Sequence, residues 1–182
     1  MVYVFLADGF EMVEALTPVD LLRRAGIEVK TVSITDSLNV VSSHGVNITS
    51  DVLIADCDFD HADALVLPGG MPGTKNLAAC GALMGQVCDF AGSGKLIAAI
   101  CAAPALTFGE AGLLEGRTAT CYPGMEEHLK GARHTTDEVA VDGNIITSRG
   151  MGTAIAFALA IIEKLAGKAK ADEIGKAVVY KQ

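Results

Sequence analysis

Apolar residues along the chain alternate between short unbroken runs and helically spaced stripes, and that alternation predicts strands and helices in turn. Val2–Ala7 is a continuous apolar run stopped by Asp8-Gly9, which reads as a buried strand and a turn. Glu11 to Ala25 carries Val13, Leu16, Val19 and Leu22 at helical spacing and stops at Gly26. Glu28–Ile34, with Val29, Thr31 and Ile34, reads as a second strand, so the chain opens on a βαβ unit of the parallel-sheet kind. Val40–Ile54 predicts short strands about a turn at Ser42-Ser43-His44-Gly45. Ala64–Leu67 is a buried strand that runs into Pro68-Gly69-Gly70-Met71-Pro72-Gly73, a loop rich in backbone amides. Leu77–Ala91 reads as a helix broken near Gly81, and Lys95–Ile100 as a strand with almost no polar face, which belongs at a sheet's centre. Pro104 suits the first turn of a helix reaching about Ala111. Arg117–Cys121 reads as a further strand, Val139–Thr147 as a hairpin around Asp142-Gly143, and Gly152 to Gly167 as a helix with Ile155, Leu159, Ile162 and Leu165 on one face. The tail from Lys168 predicts a short helix striped by Ile174, Val178 and Val179. Strands and helices alternate throughout. The expected fold is therefore α/β, a doubly wound sandwich with a mostly parallel sheet, helices on both faces, and ligand chemistry at the carboxyl ends of the central strands.

Composition sharpens this picture. With 182 residues, 51% hydrophobic and 20% charged, the chain can bury a full core as one domain, 1–182. Fourteen Lys+Arg against 22 Asp+Glu give a net charge of −8, which offers no footprint for a phosphate backbone, so nucleic acid is not expected as the primary partner. No apolar run approaches the roughly 20 residues that cross a bilayer, and no membrane association is expected. Residues 1–8 lack a basic segment and a small-residue cleavage site, so they read as a strand and the expected location is cytoplasmic. Five cysteines (57, 80, 88, 101 and 121) form no Cys-x-x-Cys pair and read as reduced thiols.

One of those thiols stands apart. Ile100-Cys101-Ala102-Ala103 joins the most apolar strand directly to a helix, with small residues beside the sulfur, as in a nucleophile elbow. Such a turn presents Sγ at the sheet edge, sets it at a helix N-terminus that favours a thiolate, and frees the Ala102 amide to donate to an oxyanion. The same residues also fit a small hydrophobe in a core strand, and spacing alone leaves both readings open. Gly69-Gly70 ends another central strand and supplies amides at the same edge. Glu11 and Glu14 open the first helix beside that edge. One of them reads as a solvated partner of the helix dipole, whereas a carboxyl buried against a thiol would have a raised pKa and donate a hydrogen bond.

Several blocks, in order, resemble the ThiJ/PfpI superfamily, and within it the branch of the Parkinsonism-associated deglycase and bacterial YajL. They are Ala7–Glu14, Pro18–Ile27, Val66–Gly70, Ala98–Pro104 and Thr147–Thr153. The resemblance implies a flavodoxin-like homodimer without a cofactor, with a low-pKa nucleophile at Cys101, its carboxylic acid partner at Glu14, oxyanion amides at Gly70 and Ala102, and Gly69 shaping the loop. It implies glyoxalase or deglycase chemistry on small reactive carbonyl compounds, such as methylglyoxal to lactate, or redox sensing through a cysteine sulfinate with chaperone-like protection. Three departures matter. Ala102 stands where protease and stress-protein branches place His, which disfavours peptidase activity; Tyr122 stands where close relatives carry His before a proline; and His44 stands where close relatives often carry Arg. Tyr122, His44 and Glu11 are therefore expected at the site's periphery.

The remaining signals are weaker. Asp56-x-Asp58-x-Asp60 opens like a calcium loop but has His61 where Gly is needed and Leu67 in place of Glu. The histidines 44, 61, 128 and 134 show no metal-ligand spacing, and no metal is expected. A glutamine amidotransferase shares the elbow but needs a His-x-Glu, which neither His128 nor His134 supplies. Cys121, placed by the resemblance near Cys101, is either a resolving thiol or simply buried.

Overall fold

Each strand predicted from an unbroken apolar run is buried along its whole length in one sheet. The computed structural model describes residues 1–181. In chain order its elements are β1 (Val2–Leu6), α1 (Met12–Arg24), β2 (Val29–Ser33), β3 (Asn39–Val41), β4 (Asn47–Thr49), β5 (Val52–Leu53), β6 (Ala64–Leu67), α2 (Gly73–Ala79), α3 (Gly81–Ser93), β7 (Leu96–Ile100), β8 (Thr118–Ala119), β9 (Arg133–His134), β10 (Val139–Asp142), β11 (Ile145–Ser148), α4 (Ala154–Ala166) and α5 (Lys168–Ala177). The main sheet has seven strands in the order β10-β11-β7-β6-β1-β2-β5. All its pairings are parallel except β10 with β11, the predicted hairpin, which leaves an antiparallel strand at one edge. The architecture is the α/β sandwich expected from the sequence.

Alternation along the strands splits the core into two layers. Val2, Val4 and Leu6 of β1, with Leu96, Ala98 and Ile100 of β7, pack beneath α1, α4 and α5. Tyr3, Phe5, Leu65, Leu67, Ile97 and Ala99 face the other way, against Leu77 of α2 and Leu83, Val87 and Phe90 of α3. Both faces of β1, β6 and β7 are therefore dry, which is why these strands carry no polar side. At this sheet's carboxyl edge the chain leaves β1, β6, β7 and β11 at Ala7, Pro68, Cys101 and Arg149, so four loops converge.

Four expectations need correction. The helix read as Leu77–Ala91 with a break near Gly81 begins earlier, at Gly73, while the expected break is present at Cys80, which adopts an extended conformation (ψ 96°) between the two helices. The helix expected from Pro104 to about Ala111 is a π-helical turn over Pro104–Gly109, with the Glu110 N–H reaching back five residues to the Ala105 carbonyl. The strand expected at Arg117–Cys121 is only Thr118–Ala119, paired with β9 in a separate ribbon. Val179 lies outside the final helix at φ 57° and is 71% exposed, so the predicted stripe ends at Val178. Among the described residues no helix is long and apolar enough to cross a membrane.

Candidate active site

The site is built where α1 begins against the ends of β6 and β7. Glu11 caps α1, its Oε1 accepting from the Val13 N–H at 3.2 Å. One turn later Glu14 points into the fold and is 1% exposed, an unusual place for a carboxyl group. It is not left bare. Oε2 accepts from the Gly69 N–H at 2.9 Å, and the Met151 N–H and the Cys101 thiol also bond the carboxylate. Burial nevertheless dominates and pushes the Glu14 pKa up to about 7, with the nearby Glu11 charge adding to the rise against those three hydrogen bonds.

Cys101 is one of only three residues other than glycine with positive φ among those described, at 66°. That conformation is strained for a residue with a Cβ and persists where neighbours hold it. Here the Cys101 N–H donates to the Ser148 carbonyl at 3.0 Å, and its own carbonyl accepts from the Tyr122 N–H at 2.8 Å. Pinned on both sides, the turn delivers Sγ to the Ala102 and Gly70 amides, which both hydrogen-bond it. Gly70 itself sits at φ 89°, open only to glycine at low cost, and its Glu11-facing side has no room for a side chain. Gly69 is required for a different reason: a Cβ there would lie 2.6 Å from the Cys101 Cβ and 2.7 Å from Glu14 Oε2.

The low-pKa thiol that the resemblance implies needs restating in terms of the pair. Burial, then the Glu14 charge and the hydrogen bond to it, push the Cys101 thiol up to about 12, against the lowering by the Ala102 and Gly70 amides. The helix expected to favour the thiolate is only the six-residue π-helical turn, so local amides carry that part. The high value belongs to a thiol facing a charged carboxylate. When the proton sits on Glu14 instead, the repulsion is gone and the carboxyl donates to sulfur. A thiol beside a carboxylate and a thiolate beside a carboxylic acid have the same total charge. The pair therefore loses its first proton near pH 7, whichever atom gives it up, and the thiolate form is one arrangement of the remaining proton.

A cavity of about 410 Å³ opens on this sulfur, lined by Gly70, Met71, Cys101, Ala102, Tyr122, Pro123 and Met125. The structure thus brings together Cys101, Glu14, Gly69, Gly70 and Ala102. Tyr122 forms the mouth and is 51% exposed. Glu11 reaches the site through its charge and its backbone, whose N–H donates to the Gly69 carbonyl at 2.9 Å. His44 does not line the cavity; it stands exposed, Nδ1 3.0 Å from Ser43 Oγ and 3.7 Å from Glu11 Oε2. Cys121 belongs to the core layer opposite the one Cys101 packs on, its thiol donating to the Tyr122 carbonyl at 3.4 Å. It is a buried thiol, 1% exposed. The reading by side-chain type misses Met151, which contributes only a backbone N–H; the signal was the Gly150-Met151-Gly152 run directly after a strand ending at the same edge.

Residues 1–164 match the model of the DJ-1/PfpI family. The chain is 41% identical over 182 residues to Protein DJ-1 homolog A of Arabidopsis thaliana, covering 99% of this chain and 46% of that protein. It spans less than half the length of the Arabidopsis relatives it matches. It is 32% identical over 168 residues to the glutathione-independent glyoxalase DJR-1.2 of Caenorhabditis elegans, covering 91% of this chain and 88% of that one. Among solved structures, Toxoplasma gondii DJ-1 in an oxidized form superposes with a TM-score of 0.95 at 38% identity, covering 100% of this chain and 98% of that one.

Proposed function

The chain belongs to the DJ-1/PfpI family, and from that premise we propose that it is a cofactor-independent cysteine enzyme that converts 2-oxoaldehydes such as methylglyoxal into 2-hydroxy acids. The observation that carries this reading is the buried hydrogen-bonded pair of Cys101 and Glu14, whose sulfur opens on the cavity while the carboxyl lies behind it. A glyoxalase that works without glutathione must supply both a thiol and a proton shuttle from its own chain, and this pair has both. Its relative named as a glutathione-independent glyoxalase agrees with the reading.

In the proposed mechanism the Cys101 thiolate adds to the aldehyde carbon, and the alkoxide that forms sits against the Gly70 and Ala102 amides. Glu14, protonated while the sulfur is charged, gives its proton to that oxygen and becomes a base. It then takes the hydrogen from the former aldehyde carbon to leave an enediolate and returns that proton to the neighbouring carbon, while the hydroxyl proton on the first carbon passes to the oxygen of the second. The product is a thioester of Cys101, which one water hydrolyses to the hydroxy acid and the free thiol. Methylglyoxal plus water thus gives lactate with no external reductant or oxidant. Residues 1–182 acting as one domain, and a homodimer as the working assembly, are parts of the same proposal.

The alternative reading, oxidation of Cys101 to a sulfinate by peroxide, would use the same amide donors and the same Glu14 proton. Product analysis separates the two. With the reduced protein and methylglyoxal alone, lactate should accumulate in amounts equal to the aldehyde consumed, over many turnovers and without added thiol. Consumption that stops at one equivalent of protein-bound adduct, with no lactate, would remove the enzyme reading.

A further inference from the structure

The chain has five arginines, and four of them are paired with aspartates. Arg23 meets Asp51 and Arg24 meets Asp20, each at 2.8 Å, while Arg117 and Arg133 lie 3.2 and 3.8 Å from Asp142. Arg149 alone has no hydrogen bond or ion pair among the described residues. The carboxylate whose titration feels its charge, Glu126, is already bonded by the Gly124 N–H at 2.9 and 3.0 Å. Cys121 is the other group that feels the charge.

Its position is the second observation. Arg149 follows Ser148, whose carbonyl holds the Cys101 N–H, so it stands one residue from the strand end that pins the nucleophile. It lines a cavity of about 290 Å³ with Tyr122, Pro123, Gly150 and Met151. Tyr122 and Pro123 also line the cavity over Cys101, so the two hollows share a wall. Gly150 and Met151, which line this second hollow, also stand beside Glu14: the Met151 N–H bonds the carboxylate, and a Cβ on Gly150 would lie 3.9 Å from Glu14 Oε1.

We propose that Arg149 forms an anion subsite beside the nucleophile, so that the preferred substrates are carbonyl compounds that carry a carboxylate or a similar compact anion. A planar guanidinium with open donors binds carboxylate through two parallel charge-assisted hydrogen bonds. In a protein of net charge −8 the average field repels anions, so an unpaired cation in the hollow that adjoins the Cys101 cavity favours those anionic molecules that can reach it. The substrate's carbonyl lies over Cys101, its chain passes the Tyr122 ring, and its anionic group reaches Arg149. The inference rests on the reading of the Cys101 cavity as the place where a carbonyl group reacts.

The test uses two alkylating probes of one shape and different charge, N-phenylmaleimide and N-(4-carboxyphenyl)maleimide, with the rate of Cys101 modification followed by peptide mass. The ratio of the carboxylated to the neutral rate should fall about tenfold in Arg149→Gln and by less in Arg149→Lys, which keeps the charge but not the two parallel bonds. Half-molar salt should shrink the wild-type ratio towards that of Arg149→Gln. A ratio equal in wild type and Arg149→Gln would overturn the subsite, and so would an equal slowing with both probes, which marks a structural role. Because alkylation needs no turnover, failure here leaves the lactate assay standing, and failure of the lactate assay leaves this ratio readable.

Discussion

Replacing Cys101 with Ala should lower kcat/KM for methylglyoxal by more than about a thousandfold while leaving a folded protein. Every step of the proposed reaction after binding passes through Sγ: the adduct, the enediolate and the thioester are all bonded to it. No other thiol can stand in, since Cys121 packs in the opposite core layer and Cys57, Cys80 and Cys88 line no part of the cavity. Ala keeps the strained φ of 66° at the cost Cys already bears, and the pinning bonds to the Ser148 carbonyl and from the Tyr122 N–H are backbone bonds that the substitution does not touch. Loss of lactate formation with an unchanged melting profile is the expected pair of results. Activity retained in Cys101→Ala would mean that the aldehyde reacts elsewhere.

Glu14→Gln should have two effects of opposite sign. The amide keeps the carboxylate's shape and can still accept from the Gly69 N–H, but it neither gives nor takes a proton, so kcat should fall by about a hundredfold or more. Stability should rise. The folded protein holds a proton on Glu14 up to about pH 7, whereas in the unfolded chain the group loses it near its ordinary value of 4.5. Between those limits the folded state binds more protons than the unfolded one, so raising the pH destabilises it; below 4.5 both states are protonated and no penalty applies. The interval corresponds to about 3 kcal/mol once the pH is well above 7. Thermal melts should therefore show Glu14→Gln close to wild type at pH 4 and clearly more stable at pH 8. A protein that gives up stability at its own site in this way is using the strain, because the charge that is costly to bury is the base that the reaction needs.

How much of this was legible in the sequence follows from what kind of signal each part leaves. The sheet was legible because β1, β6 and β7 are buried on both faces and so read as unbroken apolar runs, and α1 because its stripe is bounded by Glu11 and Gly26. Cys101, Gly69 and Gly70 were legible because a sharp strand end tolerates only certain residues beside it. Met151 was not, since what it gives the site is a backbone N–H that any residue type would provide. The π-helical turn after Cys101 was not, because five-residue and four-residue hydrogen-bond spacings leave the same side-chain pattern over so short a stretch. The resemblance also led His44 towards the site's edge, where geometry sets it beside Ser43 and Glu11 and outside the cavity lining. The proton balance was legible only in part. A buried Glu was expected to have a raised pKa, but that the thiol and the carboxyl titrate as one unit depends on the hydrogen bond between them.

That shared proton is the centre of the account, and the rate of Cys101 alkylation by iodoacetamide against pH reads it most directly. In wild type the rate should rise with an inflection near pH 7, where the pair loses its first proton, and in Glu14→Gln that inflection should disappear, leaving only the thiol's own titration. An inflection at the same pH in both proteins, or a wild-type rate that stays flat until the ordinary thiol range, would contradict a proton shared between Cys101 and Glu14.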